Sequence, residues 1–412
     1  MNKKENQRKK LRTSKTRTKS TTGRDNTKAK KPEPPPWSQL PATVLTGIYK
    51  YLGDVDRVSM ARVCRPWEQG FNYPALWRTR IIHFRKYRDK LEVKRVASYK
   101  SKTAVPVSSG KCAIRFAKRF PNYLQKVDID FNGVMSLMSI SREVVQDFMK
   151  FVELLHDAKL TKLRIHLSGL KITNVESREH LINAVNRLIK NQHNLKKFEI
   201  SLAYFDLHTG IRLLKCLAEA SGKSLETLFL FTLFNADLAV YREEDVFTEL
   251  QKFKNLSSIC VDYSILSDEL VTLWSKGCPS LSSMRLWAFS ESHAISNEAW
   301  QALVWTHPRL LVQFHVEINL DTITLPLLSP AIPLYKLRLH AVYRLHSEFE
   351  LTSLLHRVAI YHRTITSIEV EIYGEFENID TVALLSILSN CSKLPPLSFK
   401  ESRHFSKFWT LS

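Results

Sequence analysis

The sequence predicts an α/β chain, in which a small all-helical module is followed by a long solenoid of parallel strands with helices outside them. Three patterns predict it. A phrase of the form L-x-x-L-x-L, each L a bulky apolar residue, recurs ten times between Leu124 and Leu394, about 30 residues apart. Between the phrases, several segments switch from a period of two to helical spacing. Ahead of them, Trp37 to Arg78 carries short runs of apolar residues three and four apart, the pattern of three amphipathic helices.

The chain starts with a basic tail. Residues 1–36 hold thirteen of the Lys and Arg against Glu5, Asp25 and Glu33, with no aromatic residue and four prolines at the end. Such a composition predicts a disordered segment ending in a stiff spacer. Its clusters KKENQRKKLR and KAKK suit nuclear import or weak, salt-sensitive contacts with nucleic-acid phosphates, and suit a merely solvated tail equally. Of the net charge of +21, about half lies here. No signal-like apolar opening and no run of about eighteen apolar residues occurs, so the expectation is neither secretion nor a membrane span, but cytoplasm or nucleus. Six scattered cysteines without a CxxC pair fit reduced thiols there, with no disulfide and no metal site.

In the helical module, Leu40, Val44, Leu45, Ile48, Tyr49 and Leu52 form one stripe on a first helix, with Pro41 in its first turn and Gly53-Asp54 as its stop. A second helix is expected from Asp54, as cap, toward Trp67, limited by Pro66. Leu40-Pro41, Leu45, Ile48, Tyr51-Leu52, Asp56-Arg57, Ala61, Val63-Cys64-Arg65, Trp67 and Leu76-Trp77-Arg78 follow one another in the order and spacing of the F-box. The stretch 37–80 resembles that module closely. The resemblance implies docking on the Skp adaptor, and through it on cullin, by Leu40, Pro41, Leu45, Ile48, Leu52, Val63 and Trp67. A module of about forty residues buries little surface alone, so the adaptor or the next domain is expected to complete its core.

Segment 81–123 reads as a helical connector and cap, with AIRFAKRF just ahead of the first phrase. The solenoid then runs over 124–400, its phrases beginning at Leu124, Leu160, Leu195, Leu225, Leu256, Leu281, Leu311, Leu334, Ile365 and Leu394. The helical segments are VVQDFMKFVELL, HLINAVNRLIK, IRLLKCLAEA, DELVTLW and NEAWQALVW. One strand and one helix per unit resembles the leucine-rich repeat, with KGCPSLSSMRLW and NCSKLPPLSF like its Cys-containing variety. The usual Asn or Cys after the strand is replaced by Ser168, Ala203, Leu233, Ser264 or Phe289, so no asparagine ladder is expected. Between Leu311 and Leu334 three prolines and no helical pattern predict an irregular turn. Residues 401–412 form a tail that caps the last repeat or returns to the concave face.

Strand residues between the core positions face the concave side. Phe229, Phe231, Arg285, Trp287, Arg338 and His340 lie on that row, and aromatic residues with arginine are the usual composition of binding hot spots, so these are the expected contacts of a protein substrate. Arg164, Arg285 and Arg338 are candidates to pair a phosphate. No catalytic constellation emerges. Gly222-Lys223-Ser224 ends like a phosphate loop, but Leu217 stands where it needs glycine, and His356 and His362 are spaced wrongly for one helical face. The expected chain is a non-catalytic, cofactor-free receptor subunit of a Skp–cullin–F-box ubiquitin ligase. The alternatives are an F-box scaffold outside ubiquitination and a nucleic-acid-associated protein using the tail.

Overall fold

Alternation within each phrase sends two apolar residues to one face of a strand, and the computed structural model stacks these strands into a single sheet. It describes residues 36–84, 110–131, 141–167, 175–235, 238–289, 293–319, 327–342, 358–361, 363–373, 391, 393, 398–402 and 406–411. The strands are β1 (Thr79–His83), β2 (Lys126–Asp130), β3 (Lys162–His166), β4 (Lys197–Ser201), β5 (Thr227–Phe231), β6 (Ser258–Asp262), β7 (Ser283–Ala288), β8 (Leu311–Asn319), β9 (Leu334–Val342), β10 (Ser367–Tyr373), β11 (Ser398–Ser402) and β12 (Ser406–Leu411). From β1 to β10 each strand pairs in parallel with its successor, and β12 then β11 complete the far edge in antiparallel fashion. Sequence neighbours being sheet neighbours is the signature of a solenoid.

Helices α4 (Gly110–Arg119), α5 (Arg142–Leu154), α6 (Val175–Lys190), α7 (Leu207–Ser221), α8 (Glu244–Leu250), α9 (Asp268–Gly277) and α10 (Asn297–Thr306) follow β1 to β7 in turn. Side-chain oxygens of Ser141, Asp206, Ser267 and Ser296 accept from the N–H three residues on and so begin α5, α7, α9 and α10. Each such cap contributes about 1 kcal/mol. The core between the layers is formed by the inward strand pairs, among them Val127 and Ile129, Leu228 and Leu230, and Leu337 and Leu339, with the leading leucines of the phrases. Gly210 on α7 shows how closely the layers meet: a Cβ there would stand 2.1 Å from Cε1 of Phe234. Gly210→Ala is expected to cost about 1–3 kcal/mol through forced repacking, read as a lower urea midpoint.

Without an asparagine ladder, the turns after β4 and β5 close through backbone bonds. Leu202, Tyr204 and Thr232 adopt φ of 57°, 48° and 47°, and Phe205 bridges Phe234. Asp262 supplies the one side chain of ladder type there, accepting from the Thr232 N–H at 3.1 Å.

The helical module comprises α1 (Ala42–Tyr51), α2 (Asp54–Ala61) and α3 (Arg65–Phe71), preceded by a 3-10 turn Pro36–Gln39. Pro66 does not limit the second helix; it lies in the first turn of a third, where its missing N–H costs nothing. Nor does Asp54 cap α2. Gly53 occupies that position, and the Asp54 carboxylate instead meets Arg57 at 3.4 Å and Arg80 at 3.2 Å. Leu45, Tyr49, Met60, Phe71, Leu76 and Trp77 form the module's core, and Phe120, just after α4, completes it. Trp77 stacks on Phe120 at 4.5 Å between ring centres, and the Arg80 guanidinium lies 4.5 Å over Trp77 and 5.0 Å over Phe116. Module and solenoid thus share one joint, in which α4 contributes to both cores.

Three further expectations are corrected. Residues Thr79–His83, expected as the edge of a helical connector, are the first strand, because Ile82 packs in the sheet core and Arg80 is held by Asp54. Leu311 is not an inward leucine: Leu310 is buried at 3% and Leu311 is 49% exposed, one residue out of phase with the other repeats, and the ladder shifts beside it at Val312/Gln313. The last phrase does not add a parallel strand, since β11 is antiparallel and separated from β10 by β12. Within the C-terminal segment, Ser406–Leu411 form β12, which pairs along the edge of β10 and so covers the last parallel strand. Residues 1–35, Ser168 and Leu394 lie outside the described residues.

Candidate functional site

Two surfaces stand out. On the helical module, an apolar strip remains open although the core beneath it is closed. Val44, Ile48, Tyr51 and Val63 are exposed, Tyr51 at 92%, and so is Trp37, whose carbonyl accepts from the Trp67 indole at 2.8 Å. Pro41 is exposed, and Leu40, Leu52 and Trp67 are half-buried, packed against the module's core. Leu45 is a correction: at 2% exposure it faces Gly70 and the module's own interior and cannot meet a partner. The stripe read from spacing is real, but it is wide enough to serve both sides of α1.

The second surface is on the concave face. Phe229 and Phe231 on β5, Trp287 on β7 and Arg338 and His340 on β9 are half-exposed, and Arg285 on β7 is exposed, while their neighbours Leu228, Leu230 and Leu286 are buried. The structure brings four aromatic rings together. Phe231 lies 4.3 Å from Trp287, Trp287 stacks on His315 at 4.0 Å, and Phe229 meets Phe231 edge-on at 6.4 Å. Phe231 and Trp287 stand two strands apart, roughly 9.6 Å at the usual strand spacing. They meet because the intervening strand offers only Cys260, which is small, and Asp262, which is turned to Thr232.

Charges flank this floor unevenly. In the N-terminal half, Arg164 is taken by Asp128 at 3.0 Å and Glu199 at 2.9 Å, so it is not available to a phosphate. Arg338 and Lys336 both bond Glu369. Arg285 has no carboxylate within 4.0 Å among the described residues, and His340 stands farther along β9, opposite Glu317. Burial pushes the Cys260 thiol up to about 12, which leaves it unreactive.

Burial, then Arg338 and Arg285, pulls His315 down from 6.5 to about 3. An unfolded chain binds a proton that folded His315 refuses, so stability is full above pH 6.5 and declines as pH falls toward 3. At pH 5 the loss amounts to about 2 kcal/mol. His315→Gln is expected to remove that part of the difference between urea midpoints at pH 7 and pH 5.

Comparison with known proteins agrees with this geometry. Residues 37–83 match the family described as F-box-like. The chain is similar to F-box/LRR-repeat protein 21 of Mus musculus, 23% identical over 283 residues, covering 67% of this chain and 58% of the relative. The proteins of the same name from Bos taurus and Ovis aries match at 23% and 22% identity, over 66% of this chain and 58% of each relative. The chain carries an F-box-like module at residues 37–83, followed by repeats of the leucine-rich type. It spans 58% of the length of these curated relatives. The leucine-rich repeat-containing protein LegL7 from Legionella pneumophila aligns at 8% identity over 76% of this chain and 97% of that one, with a TM-score of 0.33. The repeat architecture rests on the strand register rather than on that alignment.

Sequence reading missed His315 as a member of the concave cluster, although it was on the outward row; one residue of β8, Phe314, separates it from Gln313, whose amide bonds it at 2.6 Å. Its neighbour Trp287 on the adjacent strand was the available signal. Helix α8 was also missed, since REEDVFTEL is dominated by acidic residues and shows its apolar face only through Val246, Phe247 and Leu250.

Proposed function

We propose that this chain is the substrate-recognition subunit of a Skp–cullin–F-box ubiquitin ligase, with the F-box docking the adaptor and the repeat face holding a protein substrate. The observation that carries the reading is the open strip of Val44, Ile48, Tyr51 and Val63 above a core that is already closed. An apolar strip with nothing left to bury inside the chain fits a partner surface. The chain itself makes or breaks no bond. It raises the effective concentration of substrate lysines near a ubiquitin-loaded conjugating enzyme, so attack becomes intramolecular in character. The shared joint of Trp77, Phe116 and Phe120 supports this role, because a stiff link between docking module and substrate face keeps that distance fixed. Cytoplasm and nucleus are the compartments this reading requires.

The test is co-purification of the full chain with the Skp adaptor and cullin. Capture of both establishes the docking half, and a ubiquitinated substrate lost with Trp287→Ala establishes the other. Absence of adaptor capture defeats the reading.

A further inference from the structure

The concave cluster has a chemistry of its own beyond being a place where substrate binds. Its accessible floor, formed by Phe231 and Trp287 with the buried His315 stacked against Trp287, spans β5 to β7, two strand spacings or roughly 9.6 Å, which accommodates one aromatic side chain. All three rings are uncharged. His315 stays a neutral imidazole because it is buried at 5% and stands among Arg285, Arg338 and Lys336. Among the described residues, Glu369 is the carboxylate paired with these cations, and both its oxygens are used by Lys336 and Arg338. Glu317 is opposite His340, and Asp262 is bonded to Thr232, so neither compensates Arg285. Arg285 stands two residues before Trp287 on β7, on the same face and roughly 7 Å away along the strand. An aromatic floor with an unmatched guanidinium at that distance has a defined complement. In an extended peptide, side chains two residues apart also lie on one face and at the same spacing.

Resting on the reading of this face as the substrate site, we infer that it recognises an extended anionic peptide segment, an aromatic residue lying on Phe231 and Trp287 while an acidic group two residues away pairs with Arg285. A guanidinium donates two hydrogen bonds to a carboxylate or a phosphate in the same bidentate manner, so aspartate, glutamate and phosphoserine are equivalent sources of the anion. A basic peptide would be repelled by Arg285, Lys336 and Arg338. The N-terminal half of the face offers no equivalent, because its cation Arg164 is already paired on both sides.

The test uses the full chain and fluorescein-labelled nine-residue peptides, read by fluorescence anisotropy. The peptides are Gly-Ser-Asp-Gly-Phe-Gly-Asp-Ser-Gly, the same with phosphoserine in place of both aspartates, with lysine in place of both, and with alanine in place of phenylalanine; a twelve-nucleotide poly-uridine RNA is the fifth probe. The aspartate or the phosphoserine peptide is expected to bind at least tenfold more tightly than the lysine and alanine peptides. The stronger of the two identifies the source of the anion. Trp287→Ala and Arg285→Glu should each weaken it at least tenfold, and Arg285→Glu, at an exposed position, keeps the test independent of folding. Binding that responds to Trp287→Ala but is indifferent to peptide charge and to Arg285→Glu overturns the proposal and leaves the face as the substrate site. RNA binding lost with Arg285→Glu, in the absence of peptide binding, overturns both.

Discussion

Replacing Val44 and Ile48 together by aspartate is expected to abolish capture of the Skp adaptor, at least a hundredfold loss in affinity, with thermal unfolding of the chain unchanged. Both side chains are exposed on α1, which also carries the exposed Tyr51, so the substitution removes nothing from the module's interior. Two buried carboxylates in an apolar interface each lose a contact worth about 2 kcal/mol and add a desolvation cost, and about 2.8 kcal/mol already corresponds to a hundredfold. Leu45 supplies the contrast. Leu45→Ala is expected to leave the docking strip in place while costing about 2–5 kcal/mol of stability, since it empties space beside Tyr49 and Gly70. Pull-down of purified adaptor with circular dichroism melting separates the two. A Val44 and Ile48 double variant that still captures the adaptor removes this face from the docking reading.

Leu45 also shows what a sequence reveals and what it hides. Helical spacing identifies an apolar stripe, but a stripe more than 100° wide has two flanks, and nothing local says which flank the chain covers itself. Strand alternation is more informative. With a period of two there are only two faces, and the bulky residues Leu228 and Leu230 fix the core face, so Phe229 and Phe231 were assigned outward correctly. The strands from β2 to β7 and helices α5, α6, α7, α9 and α10 were legible for the same reason, each having one clear period. Where tertiary partners decide, the pattern fails. TRIIH contains an arginine at an inward position, acceptable only because Asp54, 26 residues earlier, reaches it. Likewise Arg164 and Arg285 look alike on the outward row. Only the neighbouring strands, bearing Asp128 and Glu199 around one and Cys260 and Gln313 around the other, make the first a structural ion pair and the second an open cation.

Asp54→Ala is expected to destabilise the chain by about 3–5 kcal/mol, far more than a surface ion pair is worth, whereas Arg80→Met at the other end of the same contact costs little or nothing. Arg80 is 1% exposed, and burial pulls its guanidinium down to about 10, so it is still charged at neutral pH. The ring faces of Trp77 and Phe116 cover it, and its Nε and Nη2 find no hydrogen-bond acceptor among the described residues. Among the described residues, Asp54 is the carboxylate that offsets this buried charge, and removing it leaves that charge without its ion-pair partner. Methionine has similar length, packs between the same rings and brings no charge to desolvate. The pair should be strongly non-additive: once Arg80→Met is present, Asp54→Ala costs only its weaker contact with Arg57, at 3.4 Å. Urea unfolding of the two single variants and the double variant, followed by tryptophan fluorescence, measures this directly. Equal, additive losses would mean that Arg80 stabilises the joint by its own contacts. The expected asymmetry would mean instead that this ion pair specifies how the F-box module is seated on the first repeat, at some expense in stability, and that the hydrophobic stack of Trp77 and Phe120 is what holds it there.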